Sequence, residues 1–330
     1  MDWLNVLVRV ALYLDLMLMF GLPLFALCML RADERGAALA VRLVRCTAVA
    51  GVAGILLSLA GMAIMAKAMT GAATYAELSQ HVLEMMVTGT DFGAAWVGRL
   101  AALLAGVACA MALQRRPALR FAALALCGAI ALSTLAWAGH GAMDDGTRRV
   151  VHLSVDIVHL LAAGAWVGAF AALGLLGAAA HAEPLGMARL ARAAQGFAHM
   201  GTAIVVTLTV TGAVNYWLIA GAPTREVVDS PYGRLLMLKL ALFALMLGAA
   251  ALNRYRLSPA LAAASGPESQ RTAVAAFRKS LRFEAAMALA VLVAVAVLGL
   301  LSPDMQDRPD PGPREPGTLT QAGFTSIIRQ

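Results

Sequence analysis

The 330-residue chain is too hydrophobic for a soluble protein. Hydrophobic residues make up 61% of it and charged residues 14%, whereas typical globular domains have about 45–50% and about 25%. The mean hydropathy of +0.76 requires a surface that contacts lipid. These values exclude a soluble enzyme, a disordered protein and a disulfide scaffold. The net charge of +7 is interpreted as a property of membrane loops, not as a nucleic-acid-binding face.

Eight segments are long and apolar enough to cross a membrane, for which about 20 residues are needed. They predict an all-α polytopic bundle of eight transmembrane helices formed by residues 1–302. A Pro-rich, extended tail is predicted for residues 303–330. The predicted spans are 6–30, 43–66, 94–113, 119–138, 151–178, 198–220, 234–253 and 282–301.

The distribution of Lys and Arg predicts the orientation of the bundle. Fifteen of these residues lie in or beside the loops that follow the odd-numbered spans, and five lie in those that follow the even-numbered spans. Because basic loops remain in the cytoplasm, both termini are predicted to be periplasmic. The outer loop over 67–93 contains helical apolar spacing in Tyr75–Val87, which predicts an interfacial helix on the periplasmic face. Residues 254–281 are predicted to form a basic inner loop.

Polar residues are concentrated on one stripe of the fifth span. His152, Asp156, His159 and Trp166 fall within about 80° of each other on a helix. Ionisable groups inside a membrane are costly, so this stripe is predicted to face the interior of the bundle. One interpretation is a metal or proton site in which Asp156 orients an imidazole. The alternative is a structural contact in which Asp156 pairs with His152 or His159.

Further candidate ligands lie towards the same side of the predicted bundle. His140 and Met143 follow the fourth span, and His81 lies in the outer loop. Imidazole and thioether groups suit Cu(I), and imidazole also suits Cu(II) and Zn(II). Asp15, near the middle of the first span, is predicted either to compensate charge or to bond a neighbouring helix.

Several of these motifs resemble the CopD/PcoD copper-resistance family over roughly residues 1–301. They are Gly139-His140-Gly-Ala, the segment from His152 to Gly168, Thr211-Gly212-Ala-Val-Asn215, Tyr232 to Leu242, and Leu252-Asn253-Arg254-Tyr-Arg256. The resemblance implies a multi-pass protein of the bacterial inner membrane that acts in copper homeostasis with a periplasmic copper carrier of the CopC type. It also implies that His140, His152 and His159 are intramembrane histidines of the site.

The sequence thus predicts a copper-binding protein that takes copper from the periplasm and moves it towards the cytoplasm. The metal ligands are predicted among His81, His140, Met143, His152, Asp156 and His159. We expect no enzyme activity and no nucleic-acid partner. A nucleotide site is not expected either, since no Gly-rich phosphate loop is found. Two alternatives remain: a b-type cytochrome with haem on intramembrane histidines, and an assembly factor that delivers copper to an oxidase.

Overall fold

The computed structural model describes residues 2–180, 185–221 and 230–300. The side chain of His140, a predicted ligand, lies outside this description. Within these ranges it contains eight helices long and apolar enough to cross a membrane, and no β-strand. The predicted helical class and number of candidate spans are therefore confirmed. The predicted tail over 303–330 lies outside the described residues.

The helices are labelled here in chain order. All except the short α3 and α9 form the core of a candidate span. α5 continues as a 3₁₀ turn over Thr134–Ala138, and α8 continues through a π-helical turn over Asn253–Leu257 into α9. The helices are α1 (Trp3–Met29), α2 (Ala38–Thr70), α3 (Gln80–Thr88), α4 (Asp91–Ala112), α5 (Pro117–Ser133), α6 (Gly146–Ala179), α7 (Gly186–Ala220), α8 (Pro231–Leu252), α9 (Ser258–Ala263) and α10 (Pro267–Leu298).

Several helices extend beyond the spans that were predicted from hydropathy. α7 begins at Gly186 and α10 at Pro267, twelve and fifteen residues before their predicted spans. The prediction of a loop over 254–281 was wrong, because this segment contains the π-helical turn, α9 and the first turns of α10. Hydropathy detects only the apolar part of a helix, whereas the backbone hydrogen bonds continue through polar residues until a capping residue or glycine ends them.

Helix α1 lies at the centre of the bundle, where it contacts α2, α5, α6, α7 and α10. Glycines bring it close to two of these neighbours. A Cβ added at Gly21 would lie 2.2 Å from the carbonyl oxygen of Gly164, and one at Gly128 would lie 2.6 Å from Cα of Phe20. Gly164 and Gly168 are four residues apart on α6, and this spacing of small residues favours the close packing of helix backbones found here.

The segment between α2 and α4 is helical over a shorter range than predicted. Tyr75–Glu77 forms a 3₁₀ turn, and the α-helix begins only at Gln80, since Ser79 caps it by accepting from the backbone N–H of Val82 at 3.3 Å. With nine residues, α3 is about 14 Å long, too short to cross a membrane. Its Met86 is buried in a cluster with Met62 and Ala66 of α2. The location of α3 at the periplasmic surface stays a prediction.

Candidate functional site

His152 lies in a buried pocket at the beginning of α6. Its residue is 1% exposed, and its Nδ1 lies 2.7 Å from Oδ2 of Asp144, in the turn just before the helix. A carboxylate only accepts hydrogen bonds, so Nδ1 carries the proton and donates it. Gly141 packs on the ring, because a Cβ there would lie 3.0 Å from Cγ of His152. Nε2 is buried and has no hydrogen-bond partner among the described residues.

The same Asp144 is also held by a cation. Nε of Arg148 lies 3.1 Å from its second carboxylate oxygen. The hydrogen bond from His152, followed by the charge of Arg148, lowers the pKa of Asp144 below its ordinary value. The carboxylate therefore stays ionised and fixes the orientation of the His152 ring, as carboxylates do for metal-binding histidines.

His159 is oriented by a hydroxyl group of the neighbouring helix. Its Nδ1 lies 2.8 Å from Oγ1 of Thr211 in α7, and that hydroxyl donates to the carbonyl oxygen of Thr207 at 2.6 Å. Because the single hydroxyl proton of Thr211 is already used, Nδ1 of His159 must donate to Oγ1. The Nε2 atom of His159 is consequently the unprotonated nitrogen, with a lone pair available for a ligand.

Asp156 lies between the two histidines in sequence and contacts α7. Nδ2 of Asn215 donates to its Oδ1 at 2.6 Å. Its Oδ2 lies near the backbone of Gly139, where an added Cβ would be 3.4 Å away. The carboxylate thus links α6 to α7 and to the loop that carries His140.

A cavity of about 260 Å³, with charged and polar side chains in its wall, lies between α1, α6, α7, α8 and α10. Asp156 and His159 line it, whereas His152 lies outside its lining. Two cationic side chains, Arg9 and Lys239, share the cavity with the single carboxylate of Asp156. Its other polar or sulfur-containing lining residues are Tyr13, Met17, Met143, Asn215, Tyr216 and Tyr232.

Two further predicted ligands, Met143 and His81, lie on different elements, and Asp15, predicted to compensate charge, lies on α1. Met143 is 81% exposed at the edge of the cavity, and His81 is exposed on α3. Asp15 points towards α2, where a Cβ on Gly54 would lie 2.6 Å from its Oδ2. Over residues 2–180, 185–221 and 230–300, no three His, Cys, Asp or Glu side chains are grouped closely enough to hold a metal ion. The predicted stripe is therefore divided between the His152 pocket and the cavity around His159.

Several buried or cavity-lining polar residues of the bundle were not predicted from the sequence. Arg99 in α4 is 3% exposed and donates from Nε to Oγ1 of Thr134 at 2.8 Å. An arginine within an apolar span is itself a signal, because it is costly to insert. Arg9 and Tyr13 are one helical turn apart on α1, a spacing that places both on one face.

The eight candidate spans of the described residues, several of which line a cavity with charged side chains, define a multi-pass membrane protein. Residues 1–150 match the family model described as copper resistance protein D-like, N-terminal domain, and residues 191–298 match the model described as copper resistance protein D. The chain is 45% identical to copper resistance protein D of Pseudomonas syringae pv. tomato over 310 residues, covering 92% of this chain and 98% of that protein. The chain therefore belongs to the copper resistance protein D family.

A second relative is similar over a shorter range. Inner membrane protein YebZ of Escherichia coli (strain K12) is 27% identical over 218 residues, which cover 66% of this chain and 71% of that protein. Together with the eight apolar helices, these relatives support a multi-pass inner-membrane protein with a copper-related function. The segment with His152, Asp156 and His159 lies between the two matched model ranges. No solved structure matches the chain.

Proposed function

We propose that this protein takes copper from the periplasm and moves it towards the cytoplasm through the cavity around His159. The observation that carries the proposal is the hydrogen bond that fixes the tautomer of His159. This tautomer has a lone pair on Nε2, and the His159 side chain lines the cavity. Imidazole nitrogen is a good ligand for both Cu(I) and Cu(II). The family and its copper-resistance relative support copper as the cargo.

The proposed route begins at the periplasmic end of α6. Met143 offers an exposed thioether, and the Nε2 atom of His152 lacks a partner among the described residues. A periplasmic carrier of the CopC type would release copper here, and His140, in the same loop, is a further proposed ligand. His81 on α3 is proposed as an additional entry ligand. The membrane potential would favour inward movement by about 2.3 kcal/mol per charge and 100 mV.

The charged side chains of the cavity favour weak, transient binding of copper. A copper ion bound to His159 would be attracted by Asp156 and repelled by Arg9 and Lys239, all of which line the same space. This balance disfavours a tightly held resident metal and suits a site that must release its ion. We therefore propose that the cavity is a transport site and not a storage site.

The test is copper uptake into proteoliposomes by the His159→Ala variant. We expect uptake to fall at least tenfold while the amount of folded protein is unchanged, since the substitution removes the ligand nitrogen. His199→Ala is the matched control, because His199 is exposed on the same bundle and lies outside the cavity lining. Normal uptake by His159→Ala would contradict the proposal.

Metal analysis and an absorption spectrum of the purified protein distinguish the alternatives. After incubation with copper, the purified protein is expected to contain bound copper and to show no Soret band. A Soret band would instead indicate a b-type cytochrome. Loss of oxidase copper without loss of cellular copper, on deletion of the protein, would indicate an assembly factor.

A further inference from the structure

A second cavity, of about 280 Å³, lies further along the same helices α6, α7, α8 and α10. Trp166 lines it and makes an edge-to-face contact with Phe243, with ring centroids 6.1 Å apart. The wall of the cavity is largely apolar. The polar groups that line it are Thr202, Asn253, Arg254, Tyr255, Ser258 and Glu284.

Glu284 is the buried carboxyl group of this second cavity. The residue is 1% exposed, and Nδ2 of Asn253 donates to its Oε1. The other end of the same amide, Oδ1 of Asn253, is buried and has no hydrogen-bond partner among the described residues. An acceptor is thus left without a donor directly beside a carboxyl group.

The missing donor is supplied if Glu284 carries a proton. An ionised carboxylate can only accept, so it cannot satisfy Oδ1 of Asn253. A protonated carboxyl group has one O–H donor, and a primary amide offers a donor and an acceptor side by side. The two groups can then form a reciprocal pair, with Asn253 donating to Oε1 and Glu284 donating from Oε2 to Oδ1.

The surrounding elements supply little charge to stabilise an ionised Glu284. Helix α6 contributes Trp166, Phe170 and Leu173 to the cavity, all of them uncharged. The π-helical turn contributes Tyr255 and Arg254.

Arg254, the cationic residue of the cavity lining, is hydrogen-bonded to α7. Arg254 donates from Nη1 to the carbonyl oxygen of Ala198 at 2.5 Å and to the hydroxyl of Thr202. On α10 itself, Arg278 packs against Gly177 and, with Arg282, lines a different cavity. His199 of α7 is exposed.

We propose that Glu284 and Asn253 form a proton-binding site in the second cavity. On binding, a proton from water forms the O–H bond at Oε2 and is shared with Oδ1 of Asn253. On release it returns to water through the cavity, whose lining also contains Arg254. Asn253 lies in the π-helical turn that follows α8, a type of turn that is frequent at functional sites, and Glu284 lies on α10. The site goes beyond the proposed copper route and contains none of its ligands.

The test is infrared difference spectroscopy of the purified full-length protein without copper, between acidic and alkaline pH. We expect the C=O stretching band of a protonated carboxyl group, shifted in D₂O, that is absent in Glu284→Gln. Glu268→Gln is the matched control, because Glu268 lies in the exposed first turn of the same helix, and this variant should retain the band that Glu284→Gln loses. Identical spectra for Glu284→Gln and the wild type would overturn the proposal.

A second variant keeps the test valid if Glu284→Gln does not fold. In Asn253→Ala the C=O group of Glu284 loses its amide donor, so its band should move to higher frequency. An unshifted band would overturn the proposal. Copper uptake is not part of either measurement, so failure here is distinguishable from failure of the copper proposal.

Discussion

Each of the two α6 histidines has its Nδ1 atom fixed by a hydrogen bond, which leaves the proton off Nε2. Asp144 fixes Nδ1 of His152, and Thr211 fixes Nδ1 of His159. The histidines themselves were predictable from the cost of imidazoles in an apolar segment. Their hydrogen-bond partners were not predictable. Thr211 is 52 residues from His159 in sequence, and the two side chains meet only because of how α7 packs against α6.

Replacing Thr211 by valine should weaken copper binding without unfolding the protein. Valine has a similar shape but no hydroxyl, so Nδ1 of His159 loses its acceptor and the tautomer with a free Nε2 is no longer favoured. Loss of such an orienting partner typically costs about 10–100-fold in metal affinity. The measurement is a copper titration of the purified variant. Thr209→Val is the control, because Thr209 is exposed and bonds only its own helix; equal loss in both variants would argue against orientation of His159.

The ion pair at Asp144 should make the free energy of unfolding depend on pH. The pKa of this carboxyl is lowered in the folded protein by the hydrogen bond from His152 and by Arg148. Its contribution is therefore fully present above the unfolded pKa, about 3.9, and is lost as pH falls through the lower folded value. Thermal unfolding in detergent at successive pH values should show this loss in the wild type and a smaller loss in Asp144→Asn. Parallel pH curves for the two proteins would contradict the effect.

At the scale of whole elements, helix number and type were predictable, whereas helix ends and neighbours were not. Apolar composition identified all eight candidate spans, because about 20 apolar residues in succession have few other structures available. The predicted eighth span covered only the second half of the long α10, since the first half of this helix is polar and basic. The spacing of Gly164 and Gly168 indicated a packing face, but only the structure shows that Gly21 of α1 is the partner.

Substitution of Gly168 by alanine should destabilise the contact between α1 and α6. The added Cβ would lie 2.3 Å from the backbone of Gly21, so the helices would have to separate. Overpacking of this kind costs about 1–3 kcal/mol. Gly174→Ala is the control on the same helix, because its Cβ would meet no atom within 4 Å, and alanine has the higher helix propensity. Thermal unfolding should rank Gly168→Ala below the wild type and Gly174→Ala at or above it; the reverse ranking would exclude a tight contact.

At the scale of the whole molecule, two cavities occupy successive positions along the same four helices. The first contains His159, Asp156 and Lys239, and the second contains Glu284 and Asn253. The polar stripe on α6 indicated the first cavity. The segment with Asn253 was recognised only as a family motif, and its pairing with Glu284 was not predictable, because the two residues are 31 positions apart on different elements. The direction of any transport depends on which cavity faces the periplasm, and that depends on the orientation of the bundle.

Orientation is predicted from the charged loops and can be measured by thiol labelling. With the four native cysteines replaced, Ser79→Cys before α3 and Ser265→Cys between α9 and α10 each supply one exposed thiol. Basic loops stay in the cytoplasm, so a membrane-impermeant reagent should label Ser79→Cys in spheroplasts and Ser265→Cys only after lysis. This result would place the His159 cavity on the periplasmic side. The opposite pattern would contradict both the predicted topology and the proposed inward route, because copper would then meet the Glu284 cavity first.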